Sequence, residues 1–307
     1  MSSQTKTRVG VLRGGPSAEY EVSLESGANA LAHLGDSYEP LDIFIDRKGN
    51  WHLHGKKEAP HKILGRVDAV LNALHGAYGE DGKVQEILEA HGVPFSGATR
   101  LAAALSFNKA LTKRIVQNTG IQTPHFRVVR KGETGALGSF SARLFRSFPQ
   151  PSIIKPLRGG SSLGVSLVRS PEEILYALEL IFETGENALI EEFVEGREVT
   201  GGVIERFRDD KRYSLIPVEI KRETGIYVSH HSKDIQNLAL KAHTLLGLRH
   251  YSSSDFIIHP TRGIYFLETD ALPALSQHSP LTASLQAIGC SFAHFIEHLV
   301  SLALGRK

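Results

Sequence analysis

Cysteine, methionine and tryptophan each occur once in the 307 residues. A lone thiol, Cys290, excludes an internal disulfide and a multi-cysteine metal centre. It follows Gly289 in an apolar C-terminal segment and reads as a packing residue. No apolar stretch approaches the length of a membrane span. The opening residues, MSSQTKTR, lack the apolar run of a secretory signal. These absences predict a cytoplasmic protein that does not enter a membrane. An excess of one charge is missing too. The formal net charge is +2 with no dense run of lysine or arginine, so nucleic acid is not an expected partner. The 15 histidines contain no H-E-x-x-H pattern.

What is present suits a globular chain. Hydrophobic residues make up 41% and charged residues 22%, enough for two or three compact units around proper cores. Residues 8–12 form a short apolar strand that runs into a turn and a helix, with Ser17 as candidate N-cap and Gly35 as the stop. Strands at 41–45, 67–74 and 93–95 alternate with a helix carrying Val84, Ile87 and Leu88. That alternation predicts a parallel sheet with both faces covered and ligands beyond its carboxyl ends, where loops 14–19 and 75–82 fall. A second unit begins near Ala98 with a helix over 108–119, followed by an exposed polar turn over 131–139. Ser170-Pro171-Glu172-Glu173 is a helix start, with a serine cap, proline at the first position and glutamate three after the cap. The last third reads as strands at 188–193, 197–204, 213–221, 251–258 and 263–268, with helices at 234–246, capped by Asp234, and at 291–304.

The stretch over 153–167 reads strand, loop, strand. Its glycines let backbone N–H groups converge on an anion because no Cβ blocks the approach. Ser161 and Ser162 add hydroxyl donors and Lys155 adds a positive charge, so the loop is a candidate phosphate cradle. It is not a P-loop, since no G-x-x-x-x-G-K-[ST] occurs and strand follows the glycines.

Asp255 and Glu268 lie on successive apolar strands joined by a short loop, and Asp270 is two residues beyond Glu268. Three acids in an apolar hairpin repel each other unless a cation sits among them or each caps a strand or pairs with an arginine such as Arg249 or Arg262. Oxygen-only ligands point to magnesium rather than zinc. Lys109, near the start of its helix, either faces a phosphate or is an ordinary solvated lysine, and sequence favours the second. Glu191-Glu192-Phe193-Val194-Glu195-Gly196-Arg197-Glu198 is either a turn with solvated acids or a strand and turn offering a carboxylate to a ribose and backbone groups to a base.

Taken in order, residues 14–23, 74–82 with Gln85, Asn108-Lys109, 155–164, 191–198 and 255–279 resemble the D-alanine–D-alanine ligases of the ATP-grasp superfamily over nearly the full length. The first two stretches are specific to that ligase family. The phosphate loop and the acidic hairpin belong to ATP-grasp enzymes broadly. The resemblance implies an α/β protein, α+β in its ATP-binding units: an ATP-grasp fold preceded by a Rossmann-like parallel-sheet domain. Its implied units are an N-terminal substrate-binding domain over 1–97, a central ATP-grasp subdomain over 98–190 and a C-terminal subdomain with the metal site over 191–307.

The implied reaction phosphorylates one D-alanine carboxylate with ATP, and the amine of a second D-alanine then displaces phosphate to give a dipeptide for peptidoglycan synthesis. Carried across, Glu19 holds the first ammonium with His75 nearby. Lys109 and Lys155 grip ATP phosphates, with Ser162 in the same loop and Ser161 over the substrates. Glu191 and Glu198 contact adenine and ribose. Asp255, Glu268 and Asp270 bind magnesium or manganese. The N–H of Ala274 helps form the oxyanion hole, and Ser279 receives the second carboxylate. A homodimer through the first unit is also implied.

The chain departs from the family pattern at defined positions. Ser253 stands where the family has arginine, Asp270 replaces an asparagine ligand, and Ala274 replaces glycine. The segment over 222–233, which in the family carries a Lys-Tyr pair over the site, is short and has no such pair, leaving Lys221 or Lys233 as substitutes. Two other outcomes follow from these departures: the same chemistry on another amino acid, or a nucleotide-binding homologue with little ligase activity.

Overall fold

The computed structural model describes residues 6–160, 163–221, 225–228 and 232–306. The chain opens with β1 (Thr7–Gly14), α1 (Tyr20–His33), β2 (Tyr38–Ile45), β3 (Trp51–Leu53), β4 (Lys56–Lys57), α2 (Pro60–Leu64), β5 (Ala69–Asn72) and α3 (Lys83–Ala90). The five strands order as β4-β3-β2-β1-β5. β1 runs parallel to both β2 and β5, as the strand–helix alternation predicts. β3 and β4 add an antiparallel edge too short to show any period in the sequence. Residues 93–95 contribute only an isolated parallel bridge, Val70 to Phe95, rather than a strand.

Next come α4 (Arg100–Ser106), α5 (Lys109–Gln117), β6 (Phe126–Val129), α6 (Leu137–Ser147), β7 (Ser152–Pro156), β8 (Ser166–Val168), α7 (Pro171–Glu183) and β9 (Ala188–Glu192). Their strands form an antiparallel sheet ordered β6-β9-β7-β8. β7 and β8 pair directly, so the glycine-rich stretch is a hairpin connection. The exposed turn expected over 131–139 is a short 3-10 turn that leads straight into α6. Phe140 and Leu144, four apart, bury one face of that helix against the sheet's core and override the local polar signal.

The remainder is β10 (Arg197–Phe207), β11 (Asp210–Ser214), β12 (Val218–Lys221), β13 (Gly225–Val228), α8 (Ser232–Leu245), β14 (Tyr251–His259), β15 (Gly263–Asp270), α9 (Pro280–Ala287) and α10 (Phe292–Ala303). The sheet runs β13-β12-β10-β14-β15, with β11 also on β10. The single strand expected over 213–221 is split. β11 and β12 both pair with β10, and Pro217, which has no N–H to give the ladder, lies in the break. α8 starts at Ser232, so Asp234 lies in its first turn instead of capping it. Ser17 is not the cap of α1 either: Glu19 holds that position, and the Ser17 hydroxyl accepts the Glu19 N–H at 3.0 Å.

A common core ties the first and last parts of the chain. Val9 and Val11 of β1, Phe295 and Leu299 of α10, and Ile204 of β10 are fully buried together. Truncating Phe295 to alanine would cost about 3–5 kcal/mol by cavity formation. The first sheet is therefore packed against the C-terminal helix, and the loops after β1 and β5 are held beside the end of β15.

Candidate active site

Two neighbouring cavities lie where the sheets meet. A cleft of about 260 Å³ is lined by Lys155, Glu191, Glu198 and the apolar walls Ile153, Val165 and Leu267. A chamber of about 180 Å³ is lined by Glu19, His75, Glu80, Asp270 and Ala274. Lys109, Gly159, Gly160, Asp255 and Glu268 line both, so the two spaces join across them.

The cleft is built on paired charge. Ile153 of β7 faces Glu191 of β9 in the ladder, which makes Lys155 and Glu191 diagonal neighbours on one face. Lys155 Nζ lies 3.0 Å from Glu191 Oε2 and 3.8 Å from Glu268 Oε2. Burial opposes charge on Lys155, yet the Glu191 and Glu268 carboxylates overcome it and raise its pKa. Lys109 is not solvated, correcting the sequence expectation. It is buried, donates to the Gly159 carbonyl, and meets Glu268 Oε2 at 2.9 Å. Helix α5 holds it there through an Asn108 cap, whose side chain accepts the Leu111 N–H at 3.1 Å. Four residues on, Lys113 reaches Glu191 Oε1 at 2.9 Å with its side chain fully buried. Sequence reasoning misses Lys113, which reads as one more helix lysine. Glu268 would be raised by burial, but Lys109 and Lys155 overcome that and hold it at about 2.

Asp255 of β14 sits opposite Glu268 of β15, just before a register shift in the hairpin. Burial first, and the Glu268 charge second, push Asp255 up to about 6. The Thr200 hydroxyl on β10 donates to its Oδ1 at 2.6 Å. Glu198 stands two residues before Thr200, on the β10 face that meets Asp255. Neither alternative arginine partner is engaged here. Arg249 donates to the Gly97 carbonyl at 2.7 Å, and Arg262 reaches Glu192 at 3.7 Å.

The chamber gathers acids, with Lys109 the one lysine on its lining among the described residues. Gly76 has φ +71, and a Cβ there would meet Ser17 Oγ and lie 2.8 Å from Glu19 Oε1, so glycine is required for the loop to pass. A Cβ at Gly160 would lie 3.2 Å from Glu19 Oε1, so this glycine too packs close to the carboxylate. His75 Nε2 pairs with Ser26 Oγ at 2.9 Å, and its Nδ1 faces Glu80 Oε1 at 3.3 Å. Burial lowers the His75 pKa despite the nearby Asp270 and Glu19 carboxylates. Burial, then the Glu19 charge, pushes Glu80 up to about 8. Asp270 is raised well above the carboxylate range by burial and by Glu80, while its Oδ1 accepts the Leu272 N–H at 2.9 Å. In the sequence Glu80 is only one member of a motif; its burial beside His75 is what marks it.

Ser253 is buried opposite Asp270 in the hairpin and opposite Gly202 on β10. Lys233 is exposed, and the Lys221 side chain and residues 222–224 and 229–231 lie outside the described residues, as do Ser161 and Ser162. Ser279 is buried as the N-cap of α9, its hydroxyl accepting the Thr282 N–H at 3.1 Å. Among the described residues no group of three His, Cys, Asp or Glu side chains is disposed to hold a metal ion. Asp255 and Glu268 nonetheless supply two hard oxygen donors side by side. Magnesium binds through one or two carboxylates plus substrate phosphates, so that pair fits it. No helix among the described residues is long and apolar enough to cross a membrane.

Comparison with known proteins gives a consistent result. A family model described as D-ala D-ala ligase N-terminus matches residues 8–65 and 54–98. A second, D-ala D-ala ligase C-terminus, matches residues 115–231 and 228–301. A D-alanine–D-alanine ligase of Aquifex aeolicus is 35% identical over 316 residues, covering 96% of this chain and 100% of that protein. Among solved structures, the VanG D-Ala:D-Ser ligase from Enterococcus faecalis superposes with a TM-score of 0.84 at 26% identity, covering 97% of this chain and 100% of that one. The D-alanine–D-alanine ligase from Bacillus anthracis complexed with ATP superposes with a TM-score of 0.81 at 27% identity, covering 97% of each chain.

Proposed function

The chain belongs to the D-ala D-ala ligase family, and from that premise we propose the following reading of its two joined cavities. The protein is an ATP-dependent ligase that joins two D-alanine molecules through an acyl phosphate to give D-alanyl-D-alanine for peptidoglycan synthesis. One observation carries the assignment of roles. Lys109, Gly159, Gly160, Asp255 and Glu268 line both the cleft and the chamber, so a triphosphate in one would end at a small substrate in the other.

In this reading the adenosine occupies the cleft, with Glu198 and Glu191 on the nucleotide side and Ile153, Val165 and Leu267 as walls. Lys109 and Lys155, aided by Ser161 and Ser162, draw charge from the phosphoryl group in flight. Asp255 and Glu268, with Asp270 beside them, would hold magnesium or manganese, which when bound neutralises phosphate charge. Glu19 receives the ammonium of the first D-alanine, and His75 and Glu80 hold the loop around it. The donor carboxylate oxygen attacks the terminal phosphorus and ADP leaves. The amine of the second D-alanine, its ammonium proton passed to solvent, attacks the acyl carbon, and a second N–H proton leaves with the departing phosphate. The C–N bond forms, the C–O bond to phosphate breaks, and the Ala274 N–H faces the oxyanion. Ser279 meets the second carboxylate.

The division into units at 97/98 and 190/191, a cytoplasmic location and pairing of two copies through the first unit belong to the same reading. Light scattering of the purified chain tests the pairing. A second reading keeps the chemistry and changes the acceptor. It is favoured by Asp270, which faces Glu80 and His75 at the acyl-transfer end. The test is phosphate release with ATP and magnesium over D-alanine, D-serine and other D- and L-amino acids, with product mass. Turnover of D-alanine alone to its dipeptide supports the first reading. Release only with another amino acid supports the second. Nucleotide binding without release rejects both.

A further inference from the structure

Behind the cleft, Lys113, Glu191 and Lys155 form a buried chain of alternating charge. Their side chains are 0%, 3% and 8% exposed, and the two lysines take opposite oxygens of one carboxylate at 2.9 and 3.0 Å. Lys113 lines neither cavity, so it reaches a ligand only through Glu191. Its one other polar contact among the described residues is weak, 3.5 Å to the Phe266 carbonyl. A buried ion pair is poor at stabilising a fold, because desolvation offsets its Coulomb attraction and apolar replacements often do as well. The ammonium at 113 therefore needs another explanation.

We infer that Lys113 is a positioning residue for nucleotide binding: by sharing the charge of Glu191, it leaves Lys155 held in place yet with positive charge to spare for the phosphates. The geometry supplies the reason. Lys155 hangs between Glu191 and Glu268, nearer the first by 0.8 Å (3.8 against 3.0 Å). With Lys113 present, Glu191 and Lys113 make a neutral pair and Lys155 is the surplus cation at the cleft wall. Without Lys113, Glu191 has Lys155 as its sole ammonium, and the lysine is drawn back and spent on it. Lys109 cannot take over this task, because it is anchored to Glu268 and the Gly159 carbonyl. The inference rests on the nucleotide reading of the cleft and adds how that grip is set from behind.

The test compares ADP with adenosine by calorimetry in wild type, Lys113→Met, Glu191→Gln and the double variant. Lys113→Met should weaken ADP about tenfold while adenosine changes less than about twofold, because the charge-assisted hydrogen bond that weakens is one to phosphate. Glu191→Gln removes the charge that would draw Lys155 back, so its ADP-to-adenosine affinity ratio should not fall, and adding Lys113→Met to it should leave that ratio within about twofold, as expected of a residue that acts only through Glu191. In the double variant Lys155 keeps Glu268, 3.8 Å away, as its carboxylate, so its ratio against that of Glu191→Gln decides the matter even if Lys113→Met does not fold. Equal weakening of ADP and adenosine, or additive weakening in the double variant, would overturn the inference and leave the ligase reading intact. Wild type that binds no ADP would overturn both.

Discussion

The cleft and the chamber share five lining residues and handle charge in opposite ways. In the cleft, every acid that faces a lysine is held ionised: Glu268 sits at about 2, and Glu191 is lowered although burial alone would raise it. In the chamber, acids face acids: Glu80 is pushed up to about 8 and Asp270 well above its ordinary value. Asp255, at the boundary, lies between these extremes at about 6. The cleft is therefore preorganised for an anion, with its cations already fixed. Among the described residues five acids line the chamber against Lys109 alone, so a substrate ammonium and a divalent ion would both add charge of the right sign there. Phosphoryl transfer is catalysed mainly by fixed charge and positioning, so the two halves place most of the catalytic charge on the nucleotide side.

The sharpest way to break the contrast is to remove the cation of the cleft. Lys155→Met takes away the ammonium proposed to meet the phosphates and leaves Glu191 and Glu268 with less compensation. The kcat/KM for ATP in a phosphate-release assay should fall by about a hundred- to a thousandfold, the scale for loss of one charge-stabilising donor. A loss under about fivefold would mean that the cleft's paired charge is structural.

The crowding of acids in the chamber is tested through stability. Glu80 has a folded pKa of about 8 against an ordinary value of 4.5. The folded state thus holds its proton more tightly than the unfolded one. That stabilisation is complete below about pH 4.5 and is lost as pH rises through about 8. Glu80→Gln keeps an acceptor for the Gly76 N–H, which now reaches Glu80 Oε1 at 3.0 Å. Between pH 5 and pH 8, wild type should lose stability relative to the variant by on the order of a few kcal/mol. Denaturant melts across that range measure it; parallel curves would show that the carboxyl is solvated or already compensated.

How much of this contrast is visible without the structure depends on sequence distance. The glycine-rich hairpin and the Asp255–Glu268 pair are legible because their strands are neighbours in the chain. Alternation and a short loop leave few registers for such strands. The parallel strands around β1 are legible from their apolar runs. Lys113 is not, because a lysine four residues from another on a polar helix looks solvated until β9 brings Glu191 against it. Glu80 is hidden for the same reason, its burial being set by loop closure over Ser26 and Glu19. The reach of Lys109 to Glu268 joins residues 159 positions apart (268 against 109), beyond any local pattern.

The acyl-transfer end can also be sharpened by adding charge. Ser253 is buried across from Asp270, and no arginine lines the chamber among the described residues. Ser253→Arg places a guanidinium beside the acid at 270. D-alanyl-D-alanine formation should rise about tenfold, with the gain in kcat rather than in KM for ATP. No gain, with ATP binding unchanged, would show that the chamber is already supplied with positive charge by another group.

The smallest effect is expected at Ser279, whose hydroxyl caps a helix and is proposed to meet the second carboxylate as well. Its Oγ caps α9 by accepting the Thr282 N–H, and it also pairs with Thr282 Oγ1 at 3.0 Å. A cap of this kind is worth about 1 kcal/mol, so Ser279→Ala should lower stability by that much in denaturant melts. If the hydroxyl also donates to the second carboxylate, KM for the acceptor should rise by about fivefold while KM for ATP stays fixed. Ser279→Gly separates the two roles, since glycine at an N-cap costs only a few tenths of a kcal/mol yet also removes the hydroxyl. A KM change common to both variants, with stability spared in the glycine one, assigns the hydroxyl to the chamber; a change in stability alone assigns it to the helix.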